Sequence, residues 1–293
     1  MLKQKKWLDQ NIPSLNGKRF LVTGSTSGIG YEAARSLLYK GGEVTLACRN
    51  PQKAEKCISD ILVDIPGAKV DALFYNQSDP QSIRHFVETL SANKSYDAII
   101  LNAGIYYPKK GSTAPDGTSI TFMTNAVGTF LLYDLFHSKF PQARCVFVSS
   151  VVNITPKGKD YKNYVHQGGM HRANEYGVSK RAIMNLFGYA LIHDSSSFYL
   201  THPGVTGTAI FDGFPPLFRK LGHRFLNLFV HRPWKACLGE VLLAAGEFPS
   251  GSFAYPRGPF HISGYPKTGR FNKKKVFRDA EALHSTLKNE YES

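Results

Sequence analysis

From residue 19 the chain alternates short, almost continuously apolar runs with longer stretches of helical periodicity. The runs are RFLVT (19–23), EVTLA (43–47), KVDALF (69–74), DAIIL (97–101), RCVFVS (144–149) and SFYLT (197–201). A strand covered on both faces reads as continuous apolarity, whereas a strand with one wet face alternates. Between the runs lie amphipathic patterns such as GYEAARSLLYKGG, where Ala33, Ala34, Leu37 and Leu38 share one face and Gly41 and Gly42 end the helix. Strand, helix, strand repetition requires right-handed crossovers and predicts an α/β fold: one doubly wound parallel sheet of about seven strands, a Rossmann-type domain. No linker interrupts the series, so residues 18–293 are expected to form one domain after an N-terminal extension at 1–17.

Two segments break the rhythm. Residues 151–173 are polar and contain glycine, which predicts a loop or flap. Residues 206–233 carry Leu217, Phe218, Leu221, Phe225, Leu228 and Phe229 at helical spacing, with Arg219, Lys220, His223 and Arg224 opposite. Ligand crevices open at the carboxyl edge of such sheets, so this segment is expected to be a lid over an apolar pocket; core packing and membrane-surface binding are the competing readings.

The first apolar run leads into FLVTGSTSGIGYEAA. Glycines at 24, 28 and 30 let the backbone turn tightly and admit a pyrophosphate, and the following helix N-terminus offers free N–H groups. Gly24, Ser25, Ser27, Gly28, Ile29 and Gly30 are therefore expected to cradle a dinucleotide. An acidic side chain after the second strand would bond the ribose hydroxyls of NAD and repel a 2'-phosphate. Here that strand ends LACRN. Arg49 is a planar cation suited to phosphate, and with Asn50 beside it the expected cofactor is NADP(H).

Composition adds limits rather than a direction. With 293 residues, 42% hydrophobic and 20% charged, the chain can bury a large core. Its four cysteines lack CxxC or metal spacing, so neither a disulfide framework nor a metal site is expected, which fits a cytoplasmic setting. The basic start is followed by no apolar signal region, and no run approaches about 18 apolar residues, so neither a secretion signal nor a membrane span is expected. The net charge of +14 is spread along the chain, densest at 3–6 and in a basic tail from about 266 to 293. Solvated surface explains it without nucleic acid, and peripheral membrane contact stays open.

Two Tyr-x-x-x-Lys pairs occur, Tyr106 with Lys110 and Tyr176 with Lys180. Pro108 interrupts any helix in the first pair. A cation one helical turn from a phenol favours the phenolate, so the second pair would form a proton donor with a lowered pKa.

These motifs resemble the short-chain dehydrogenase/reductase family. TGSTSGIG, NAG (102–104), TNAVG (124–128), VSS (148–150), YGVSK and HPGVTGT (202–208) appear in the family's order. CRN, APDGTSITFMTNAVGTFLL and the long interval between Ser150 and Tyr176 look most like the branch of retinol dehydrogenases, WW-domain oxidoreductase and protochlorophyllide reductase. The resemblance implies a catalytic tetrad: Tyr176 as general acid or base, Lys180 beside it and on the nicotinamide ribose, Ser150 on the substrate oxygen, and Asn125 holding a water in a proton relay. It also implies that Asn102, Ala103 and Gly104 line the cofactor crevice and that Pro203, Gly204, Val205 and Thr208 contact the nicotinamide. Where relatives read Asp-Leu, this chain has Asn76 and Gln77, leaving Asn76 as an uncharged acceptor for adenine.

The implied activity is NADP(H)-dependent hydride transfer to or from a carbonyl or alcohol carbon of an apolar, fairly bulky small molecule. A cofactor-sensing or scaffold protein without turnover is the rival reading. A homodimer or homotetramer is compatible with the resemblance.

Overall fold

In the computed structural model the described residues are 2–91, 94–106, 112–153, 172–194, 197–206, 231–271 and 277–291. Strands are β1 Arg19–Thr23, β2 Glu43–Cys48, β3 Lys69–Phe74, β4 Ala98–Leu101, β5 Arg144–Val148, β6 Phe198–Thr201, β7 Ser252–Pro256 and β8 Pro266–Arg270. They form one sheet in the order β3-β2-β1-β4-β5-β6-β7-β8, parallel except for the antiparallel β7/β8 pair. The six predicted runs all lie in it.

The helices are α1 Leu2–Asn11, α2 Gly28–Tyr39, α3 Pro51–Asp64, α4 Pro80–Thr89, α6 Arg172–His193, α7 Pro233–Ala236, α8 Leu238–Ala245 and α9 Phe277–Tyr291. Between α4 and α6, helix α5 begins at Ile120–Phe122, widens into a π turn at Met123–Val127 and continues as Gly128–Lys139. Local chemistry sets several of these boundaries. Asn50 accepts from Lys53 N (2.8 Å) ahead of Pro51, and Asp79 accepts from Gln81 N and Ser82 N ahead of Pro80. Each pairs an N-cap side chain with proline in the first turn, where its missing N–H costs nothing.

One face of the sheet buries Phe86, Phe130, Phe136, Phe147, Phe187 and Phe198, the other Leu8, Phe20, Leu37, Leu46, Tyr199 and Val241. Ala33, Ala34, Leu37 and Leu38 are buried as their spacing predicts. The order in which strands are added reverses between β1 and β4, which opens a crevice at the carboxyl ends of these two parallel strands.

Three features differ from expectation. The sheet has eight strands rather than about seven, because β8 is a polar edge strand without an apolar run. The basic segment from 266 contains both β8 and α9; Ala280, Leu283 and Leu287 recur every three or four residues and are buried among the cations. The stretch before residue 18 also packs into the fold, burying Leu8, Ile12 and Leu15 and donating from Gln4 Nε2 to Ser36 Oγ at 3.0 Å. Among the described residues no helix is long and apolar enough to cross a membrane, and no cluster of metal-ligating side chains occurs.

Candidate active site

At the end of β1 the backbone enters the glycine turn. Gly24 is left-handed (φ +63°), and a Cβ there would stand 2.8 Å from Ala103 Cα. A Cβ on Gly30 would lie 2.6 Å from Gly24 O and 2.4 Å from Asn102 Nδ2. Two side chains fasten this turn to the loop after β4. Thr23 Oγ1 accepts from Ala103 N (2.9 Å) and donates to Ile100 O (3.1 Å), while Asn102 Nδ2 donates to Thr23 O (2.8 Å). The two carboxyl-edge loops flanking the switch point are thus locked together.

A cleft of about 720 Å³ runs from this turn along the sheet edge. Its described walls include Gly24, Ser27, Gly28, Ile29 and Gly30 at one end, Asn102, Ala103 and Gly104 midway, and Ser150, Tyr176, Lys180, Pro203, Gly204 and Val205 at the other. That volume lies within the roughly 300–1,000 Å³ of cofactor and small-molecule sites. A Cβ at Gly24 or Gly30 would strike Ala103, Asn102 or the Gly24 backbone, so glycine is needed to hold this tight turn at the helix N-terminus, a shape that fits a dinucleotide.

Tyr176 and Lys180 lie one turn apart on α6. Lys180 is buried, and its Nζ donates to Val148 O (3.1 Å) and sits 5.7 Å from the Tyr176 ring centre. Ser149 Oγ donates to Lys180 O (2.9 Å), tying the end of β5 to the helix. Ser150 Oγ accepts from Val152 N (3.1 Å) and bonds the Tyr176 hydroxyl. Burial pushes the Tyr176 phenol up to about 12, against the Ser150 hydrogen bond that lowers it. Burial also brings Lys180 down to about 8, with Glu240 acting in the opposite direction. The expected lowering of the phenol by its lysine is therefore absent here: removal from water outweighs the Ser150 hydrogen bond, and Tyr106 adds to the rise.

Asn125 sits in the π turn of α5, fully buried. Its side chain bonds both polar atoms of the Ile105 backbone and also donates to Ser179 Oγ (3.0 Å). Both Nδ2 hydrogens are thus engaged within the protein, leaving the second Oδ1 lone pair and the backbone carbonyl for any water. A Cβ on Gly104 would lie 3.1 Å from Asn125 Oδ1 and 3.4 Å from Lys180 Nζ, which measures how closely the three groups meet.

Two residues of this site escape a reading by motif. Gln77 is buried; Nε2 donates to Ala103 O (3.2 Å) and Thr124 O (3.0 Å), and Oε1 accepts from Tyr75 Oη (2.5 Å). It fastens the β4 loop to the π turn. Tyr106, half of the discarded Tyr/Lys pair, lines the cleft and stands edge-on to Tyr176 at 4.6 Å between ring centres. Its partner Lys110 lies outside the described residues.

Other expected cofactor residues stand apart from the cleft. Arg49 is exposed beyond β2, and the Asn50 side chain caps α3. Asn76 Oδ1 accepts from Ser78 N (3.3 Å) and Ser78 Oγ (2.9 Å), so its acceptor is already engaged locally. Ser25 is fully buried, off the cleft wall. Thr208 and most of the expected flap and lid fall outside the described residues, but the flanks of the lid segment meet. Thr206 bridges His231, and His231 Nδ1 bonds Pro203 O (2.8 Å) while Nε2 accepts from Gly264 N (3.1 Å).

Comparison with known proteins agrees with this architecture. The short chain dehydrogenase family profile matches residues 18–188. Human WW domain-containing oxidoreductase is 36% identical over 138 residues, 46% of this chain and 33% of that protein. Mouse retinol dehydrogenase 12 is 34% identical over 197 residues, 64% of this chain and 61% of that protein. The chain thus spans about a third of the first relative's length and about three fifths of the second's. A solved structure of an uncharacterized protein from Mycobacterium paratuberculosis superimposes with a TM-score of 0.72 at 23% identity, covering 96% of each chain. Solved structures of similar fold include complexes with NADP or NADPH. The chain belongs to the short-chain dehydrogenase/reductase family of oxidoreductases.

Proposed function

We propose that this protein is an NADP(H)-dependent oxidoreductase acting on a carbonyl or alcohol carbon of an apolar, fairly bulky small molecule. One observation carries the reading: Ser150, Tyr176 and Lys180 share one end of a cleft whose other end is a glycine cradle on a helix N-terminus.

When bound, the nicotinamide nucleotide supplies or accepts the hydride. The glycine turn and Asn102, Ala103 and Gly104 would hold its phosphates and ribose, Arg49 its 2'-phosphate, and Pro203, Gly204 and Val205 its amide. In reduction Ser150 Oγ would donate a hydrogen bond to the substrate carbonyl oxygen, and Tyr176 would transfer its phenolic proton to that oxygen. In oxidation the Tyr176 phenolate takes the proton back. Lys180, charged below about pH 8, would stabilise the phenolate. An apolar substrate suits the described walls, where Ile105, Tyr106, Val151 and Val152 flank the reacting groups.

The competing reading is a sensor or scaffold that binds NADP(H) without turnover. Tyr176→Phe separates the two: it should bind NADPH as the wild type does and reduce none of a panel of apolar aldehydes and ketones. Wild-type protein that binds NADPH yet turns over no member of the panel favours the sensor. A preference for small polar sugars removes the apolar assignment.

A further inference from the structure

Behind Ser150 lies a second space of about 220 Å³ that shares Ser149, Ser150 and Val151 with the main cleft. Met184, Leu200 and Phe253 give it apolar walls, and His202 and His261 are its described imidazoles. No lysine, arginine or carboxylate occurs among its described lining residues.

His202 follows β6 and is 6% exposed. Its Nδ1 accepts from Gly204 N (3.3 Å), which places the ring proton on Nε2. That Nε2–H meets no partner among the described residues. The other space His202 touches measures about 10 Å³, too small for a substituent. Burial drives the ring down to about 4, helped by His261 and His231, so His202 is a neutral donor near neutrality. The ring lines a pocket next to the serine expected to hold the reacting oxygen, and its Nε2–H is open to a ligand there.

We infer that the pocket behind Ser150 is a second substrate subsite, which takes a neutral oxygen acceptor (ketone, hydroxyl or ester) carried by the apolar substrate and bonded by the Nε2–H of His202. The inference rests on the proposed oxidoreductase reading and narrows its substrate class to bifunctional molecules. A carboxylate or phosphate is disfavoured, because the pocket offers no described cation to balance it.

The test compares a cyclic monoketone with the dione of the same skeleton, trans-1-decalone against the 1,5-dione, as the ratio of kcat/KM within each enzyme. Wild-type protein should prefer the dione about tenfold beyond the statistical factor of two. Two variants divide the roles of the ring. His202→Asn keeps an acceptor for Gly204 N but loses the donor at the Nε2 position, and its ratio should collapse toward the statistical value. His202→Gln restores a donor at that position, and its ratio should stay near the wild type's.

A wild-type ratio at the statistical value, or a ratio kept by His202→Asn and lost by His202→Gln, overturns the subsite while leaving the oxidoreductase reading intact. If neither ketone is turned over, the subsite is judged on the same ratio taken from calorimetric dissociation constants with NADPH present, and the oxidoreductase reading on the wider panel of apolar aldehydes and ketones.

Discussion

Asn125 clasps the peptide of Ile105 from both sides: Oδ1 accepts from Ile105 N at 2.8 Å and Nδ2 donates to Ile105 O at 3.0 Å. An amide carries the acceptor and the donor on separate atoms, as this clasp requires. Asn125→Ala would orphan both backbone groups, while Ser179 Oγ loses one donor and keeps its bond to Tyr176 O, and a buried unpaired group costs about 1–3 kcal/mol. We expect a loss of about 3 kcal/mol in urea unfolding, and a fall in kcat because Gly104 and Ile105 wall the cleft beside Lys180. Asn125→Asp, which keeps only the acceptor, should be nearly as damaging. Wild-type stability in either variant would mean that the clasp does not form in solution.

That clasp also marks where sequence reading runs out. Asn125 is legible as a motif residue, since TNAVG stands at the right place in an ordered series. What its side chain holds is not legible, because Ile105 is 20 residues away and brought near by the fold. Gln77 shows the same limit: its partners Ala103 and Thr124 lie on two other elements. Strands β1, β2, β4, β5 and β6 were readable because burial on both faces leaves a local signature of continuous apolarity, whereas β3, at the sheet edge, has no buried residue and was read from its apolar run alone. Strand β8, polar and at the sheet edge, leaves none. Tyr106 appeared to be a chance pairing with Lys110 by spacing, and only packing places its ring against Tyr176.

Arg49 follows β2, whose Ala47 pairs in register with Thr23 at the start of the glycine turn. An exposed guanidinium there can bond a 2'-phosphate bidentately and gains nothing from the ribose hydroxyl of NADH. Arg49→Ala should raise the KM for NADPH about tenfold or more and leave that for NADH within about twofold, charge-assisted bonds being worth about 1.5–3 kcal/mol. Equal losses with both cofactors would point to a structural role instead.

Lys180 carries a pH prediction. Its folded pKa is lowered by burial to about 8, so the ammonium is present below pH 8 and lost above it. The Tyr176 phenol keeps its proton to about 12. In the reductive direction the acid is thus available throughout, and the fall in kcat/KM as pH rises through about 8 should report the lysine. Lys180→Arg keeps its charge across this range and should lack that limb, whatever its absolute rate. A limb near 8 that persists in Lys180→Arg would assign the titration to another group.

Glu240, in the first turn of α8, is fully buried, and neither of its carboxyl oxygens has a hydrogen-bond partner among the described residues. Burial raises its pKa from the ordinary 4.5 to about 8, while the charge of Lys180 opposes the shift. In the unfolded chain the same carboxyl ionises near 4.5. Between these values unfolding releases a proton, so the residue costs increasing stability as pH rises from about 4.5 to about 8, and its cost is constant above that. At about 1.4 kcal/mol per pKa unit, the full cost is on the order of several kcal/mol. Glu240→Gln has the same shape and no proton to release. Its stability relative to wild type should therefore climb between pH 5 and pH 8.5, reaching a gain of a few kcal/mol in urea unfolding at the upper end. A difference between the two proteins that stays flat over this range would mean that Glu240 is ionised, and therefore partnered, in the folded state.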